Sequence, residues 1–135
     1  MSARLPSDNK NRMKFAKYTF YAAGIYGLLV LLPQYFLEAK TGTDYPPRIT
    51  HPEYYYGFIG VAAAFQIVFL IIGSNPVRYR TLMLVAALVE KFPFVVAVGA
   101  LYAFRSVPVP IIGGAAIDLI LGILFIISFL KTPKD

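Results

Sequence analysis

Residues 82–103 read LMLVAALVEKFPFVVAVGALYA, with Glu90, Lys91 and Pro93 near the middle. The run is apolar and long enough to cross a bilayer, which takes ~20 residues. A charge at that depth costs roughly 2.5–3.5 kcal/mol on insertion scales. The two charges therefore need partners, water or a role. Three further apolar runs accompany this one, and the four spans fall at about 15–37, 51–73, 77–104 and 110–130.

The expected fold is all-α: an integral membrane four-helix bundle in one domain, 15–131. A basic tail precedes it at 1–14, and a short tail follows at 132–135. Charged residues make up 15% of the chain, against about 25% in a soluble domain. That deficit is what a chain shows when lipid is its solvent. The first apolar run, 18–37, exceeds the ~7–15-residue core of a secretory signal, and no small-x-small cleavage site follows it. It is expected to be a retained span.

The net charge is +6. Arg4, Lys10, Arg12, Lys14, Lys17, Arg78, Arg80, Lys131 and Lys134 fall on one side of the predicted topology, and Lys40, Arg48 and Arg105 on the other. Lys and Arg are retained on the cytoplasmic side, so both termini are expected there, in a multi-pass protein of the cell membrane. No nucleic-acid-binding motif accompanies the basic tail, and no nucleic acid is expected as a partner.

Breaks between spans carry local signals. Pro33 should bend or end the first helix. Residues 38–50, with Pro46-Pro47, read as an extended loop. Thr50-His51-Pro52-Glu53 has the form of a capping box. Asn75 before Pro76 makes a helix start, and the short turn there predicts antiparallel packing of spans two and three. Tyr54, Tyr55 and Tyr56 at the mouth of span two, and Arg78 and Arg80 at the start of span three, are expected at the lipid-headgroup interface. Close helix approach is expected at Ala22-Ala23-Gly24 with Gly27, at Gly57, Gly60 and Ala64, and at 113–116.

Catalytic machinery is not evident. The chain has no cysteine, which excludes disulfides, thiolate metal sites and a cysteine nucleophile. His51 with Glu53 gives two metal ligands where a site needs more. There is no Gly-rich phosphate loop and no nucleophile elbow, and Ser106 and Ser128 have no histidine near them in sequence. No metal or cofactor is indicated.

The chemistry-bearing residues are the polar groups at membrane depth. At ~1.5 Å per residue, Glu90 lies about 12 Å in from one face and Asp118 about 12 Å in from the other. Lys91 falls between them, so a Lys91–Asp118 ion pair is expected between spans three and four. Gln66 comes near the depth of Glu90, which predicts a Gln66–Glu90 hydrogen bond between spans two and three. Adjacent helical residues point ~100° apart, so Glu90 and Lys91 are expected to serve different neighbours. Two acids and one base leave one carboxyl group without a counter-charge, and a buried acid of that kind tends to become neutral; Glu90 is the expected one.

Asn75-Pro76, Arg80, Glu90-Lys91 and Asp118 with Leu124-Phe125 resemble small bacterial four-span proteins of the DoxX-like kind, over roughly residues 54–131. The resemblance implies a four-helix bundle of the bacterial inner membrane and carries no established reaction. DoxX-type proteins are linked to thiosulfate:quinone oxidoreduction as one subunit beside others. This sequence supplies no redox ligands for that activity. The leading expectation is a non-enzymatic accessory or structural subunit of a larger membrane complex. The alternative is a binding protein or isomerase for a lipophilic molecule, quinone or sterol-like, with its pocket at Glu90, Lys91, Asp118 and Gln66. A proton-coupled transporter is the third.

Overall fold

The computed structural model describes residues 7–134. Among them every regular element is helical. Four segments, Ser7–Phe36, Pro52–Ser74, Arg80–Phe104 and Val109–Lys131, are long and apolar enough to cross a membrane. The first comprises α1, Ser7–Leu31, and a 3₁₀ turn, Leu32–Phe36. Pro33 stands at the start of that turn. It lacks the N–H that would continue the α-helical ladder, and the chain tightens instead of stopping.

The N-terminal boundary differs from expectation. Residues 7–14, read as part of a tail, belong to α1. Lys, Arg and Met are good helix formers, and an existing helix propagates at little cost once nucleated by its apolar part. Arg12 Nε lies 3.1 Å from Asp8 Oδ2, one turn away.

The segment 38–50 is not simply extended, because α2 occupies Glu38–Asp44. Its Lys40 Nζ donates to Asp44 Oδ2 at 2.6 Å. That hydrogen bond, with the charge of Asp44, holds the Lys40 ammonium above the ordinary lysine range. Tyr55 and Tyr56 tie this region to α3, Pro52–Ser74. Tyr55 Oη donates to the Gln34 carbonyl and Tyr56 Oη to Glu38 Oε2, each at 2.7 Å. The capping box does not form: His51 is the N-cap residue without a side-chain cap bond. Glu53 Oε1 instead lies 3.0 Å from His51 Nδ1.

Asn75 opens a turn over residues 76–79 and not the helix itself, whose N-cap residue is Tyr79. Asn75 Oδ1 accepts from the Arg78 N–H at 3.2 Å and the Asn75 carbonyl from the Tyr79 N–H at 3.1 Å. The third segment then runs as α4, Arg80–Val85, a π-helical turn, Ala86–Lys91, and α5, Phe92–Phe104. The last helix is α6, Val109–Lys131.

The helices converge at one end. Phe20 of α1 stacks on Phe125 of α6 with centroids 4.2 Å apart, and Phe69 of α3 meets both rings edge-on. Ala16, Ala23, Ile72, Met83, Ala86 and Ala87 complete this buried core. Arg80 locks the same end. Its guanidinium lies 3.7 Å from the Phe129 ring centroid, and its Nε donates to the Thr132 carbonyl at 2.9 Å.

At the other end the bundle opens. α3 packs against the third segment along α4 and the π turn, with no more than glancing contact on α5. α1 packs on α3 and α6, and α5 on α6. Beyond the π turn the pair α1–α3 therefore parts from the pair α5–α6, and the gap between them positions the site.

Candidate functional site

The π turn builds the site. Pro93 has no N–H to give the Val89 carbonyl, and its ring would clash with that carbonyl in a straight α-helix. The helix widens just before it, and the Phe92 N–H reaches back to the Ala87 carbonyl, five residues away. Such single wide turns occur where a helix is bent for a purpose. Here the wide turn reduces the angle between successive side chains. Glu90 and Lys91 consequently face the same space, in place of the separate neighbours expected for an ideal helix.

Lys91 lies at the centre. Its side chain is 6% exposed, with Nζ 2.8 Å from Asp118 Oδ1 of α6 and 3.3 Å from Glu90 Oε1. The ammonium also sits 5.4 Å from the Phe69 ring centroid, so it rests on the aromatic core. The shorter contact is to Asp118 because a residue on a facing helix can present its carboxylate head-on. A sequence neighbour must curl back to do so. Glu90 Oε2 is buried and has no hydrogen-bond partner among the described residues. Buried polar atoms are nearly always satisfied, so this acceptor marks the place.

The expected Gln66–Glu90 bond is absent. Gln66 Nε2 donates to the Ala62 carbonyl of its own helix at 3.0 Å. Its side chain lies against the bare Cα of Gly27, where an added Cβ would overlap Gln66 Oε1. Equal depth did bring Gln66 into the site, but α1 approaches α3 so closely that the amide folds against it. At Gly24 the same approach leaves only 2.8 Å between a would-be Cβ and the Gln66 carbonyl oxygen.

These groups line one cavity of about 130 Å³ to which all four segments contribute. Gln66, Glu90, Lys91 and Asp118 form its polar part; Tyr26, Phe58, Phe94, Gly114 and Ile117 are among its apolar walls. Sequence reasoning missed these walls, although Gly114 carried a signal: a small residue one turn from Asp118. A Cβ there would meet nothing within 4 Å, so the glycine leaves room instead of packing a neighbour. A second space of about 270 Å³ shares Phe58, Ala62, Glu90, Phe94 and Asp118 with the first and continues between α3 and the third segment. Phe58, Val61 and Val89, all more than half exposed, lie along it. The polar floor is thus reached sideways through an apolar slot.

The remaining expected positions lie elsewhere. Tyr54 is exposed at the start of α3, beside His51, while Tyr55 and Tyr56 are engaged by the first segment and α2. Arg78 is exposed and lies over the Tyr79 ring. Arg80 is drawn inward onto Phe129 and Thr132, so its guanidinium is committed within the bundle. Gly57 and Gly113 pack against nothing.

The arrangement can bind, orient and hydrogen-bond a small polar group. It holds two carboxylates and one ammonium at the foot of an apolar channel, and no Ser, Thr or Cys is among the described residues lining it. Comparison of the chain with protein-family models, curated proteins and solved structures finds no match.

Proposed function

We propose that this is a multi-pass membrane protein, with both termini in the cytoplasm, that binds a lipophilic molecule by its polar head. The head sits beside Glu90, Lys91 and Asp118, and the apolar remainder leaves through the slot between α3 and the third segment. The observation that carries this reading is Glu90 Oε2: a buried acceptor without a partner, on a residue lining a cavity common to all four segments. Interhelical fasteners alone would close on one another and leave neither an orphan acceptor nor a space. The size also fits. A dry protein cavity near 150 Å³ accommodates a benzene ring, and this one is about 130 Å³ before the slot is added.

Native mass spectrometry of protein extracted in mild detergent tests the proposal. A bound molecule is expected on the wild-type chain and is expected to be lost from Gly114→Leu, which fills the cavity without touching a charge. A wild-type chain carrying nothing, or a Gly114→Leu chain retaining the same molecule, would overturn it. The accessory-subunit reading draws on the open faces at Gly57, Gly99 and Gly113, and co-extracted protein in the same spectra would favour it.

A further inference from the structure

On the footing of that binding reading, we infer that the ligand is a monocationic amphiphile: a protonated amine on an apolar body. The charge on the cavity wall leads there. Among the described lining residues, Glu90, Lys91 and Asp118 are the acidic and basic side chains. With both acids ionised, they leave one negative charge more than Lys91 balances. Lys91 is already engaged by both acids, at 2.8 Å and 3.3 Å, and has no charge left to offer a ligand.

In a low-dielectric site an unbalanced charge is costly and a compensating one is correspondingly favoured. An ammonium beside Glu90 Oε2 brings the site to neutrality and supplies the hydrogen bond that this oxygen lacks. A carboxylate head would raise the imbalance to two charges. A neutral alcohol would satisfy the oxygen and leave the charge.

A bare inorganic cation fits less well. Small hard cations take six or more oxygen ligands, and the described residues hold no group of three potential metal-binding side chains. The rest of the wall is hydrocarbon, including Phe58, Phe94 and Ile117. Those rings suit the methylenes next to a charged head, and an aromatic face adds a cation–π attraction. The slot past Val61 and Val89 then gives an alkyl chain or flat apolar body a path out of the bundle.

The test uses three probes of equal chain length: dodecylamine, dodecanol and dodecanoate. Each is titrated into the full chain in phosphatidylcholine nanodiscs at neutral pH, and the rise in unfolding temperature is followed. The amine is expected to reach its half-maximal effect at a concentration at least about 10-fold lower than the alcohol, a difference of ~1.4 kcal/mol. Dodecanoate is expected to have no saturable effect.

Glu90→Gln is expected to reduce the amine to the level of the alcohol, and Gly114→Leu to abolish both. If Glu90→Gln does not fold, the amine-to-alcohol ratio of the wild-type chain still decides. Equal binding of amine and alcohol would overturn the cationic assignment and leave the binding reading standing. Binding of none of the three, together with no retained molecule after extraction, would remove both. An amine effect that survives Gly114→Leu would place it at the nanodisc surface and overturn the assignment as well.

Discussion

Lys91 joins the two acids of the cavity. Its ammonium is almost wholly enclosed, and among the described residues it is the only base within reach of Glu90 and Asp118. Polar contacts between membrane helices average only ~0.6 kcal/mol. Removing one member of a buried ion pair costs far more, about 3–5 kcal/mol, because the charge left behind is uncompensated. The second figure applies here, since two carboxylates would be stranded together. Lys91→Met is therefore expected to lower stability by about 3 kcal/mol or more, read as reversible unfolding in mixed detergent. The double change Lys91→Met with Asp118→Asn is expected to recover part of that loss. A Lys91→Met chain as stable as wild type would show that the ion pair contributes nothing. Depth arithmetic on the sequence was enough to bring Lys91 and Asp118 together. It was not enough for Gln66, because depth says nothing of which neighbour comes nearest around the helix axis.

Among the elements, α1 and α3 form the closest pair and the π turn the most consequential one. The pair depends on glycine where backbone meets side chain. An added methyl at Gly27 would displace the Gln66 amide from its place, and Gln66 is only 3% exposed. Gly27→Ala is accordingly expected to cost about 1–3 kcal/mol, the usual range for an overpacked interior. Gly57→Ala, which meets nothing within 4 Å, is expected to change stability by less than about 0.5 kcal/mol. Equal unfolding midpoints for the two variants would rule out the packing described here. Both glycines looked alike in the sequence, as members of small-residue tracks. Only the partner helix distinguishes them, and α3 turns its Gly57 face away from every neighbour. The π turn was written in the sequence as Pro93, two residues after Lys91. Its effect on side-chain direction is a matter of how the helix relieves the proline clash, by widening instead of kinking.

At the scale of the whole molecule the bundle is closed at one end by the three phenylalanines and open at the other. Under the proposed function, a lipophilic molecule would enter from the side while the closed end keeps the helices together. The charge distribution bears on how that shape sits in a bilayer. The chain has no cysteine of its own, so single cysteines report position cleanly. In intact cells a membrane-impermeant maleimide is expected to label Ser106→Cys and to leave Asn11→Cys and Lys134→Cys unlabelled until the membrane is opened. Labelling of Asn11→Cys from outside would reverse the proposed orientation. What the sequence determined alone was set by solvent transfer and by local chemistry. Four apolar runs of bilayer length, the breaks between them and the depth of each polar group all follow from chain composition and helical rise. What only the tertiary structure decided was azimuth and spacing: that Glu90 joins Lys91 on one wall, that Gln66 turns to Gly27, and that Gly114 leaves a space. Those depend on which helix faces approach one another, and no one-dimensional pattern of apolar residues encodes that choice when every face is apolar.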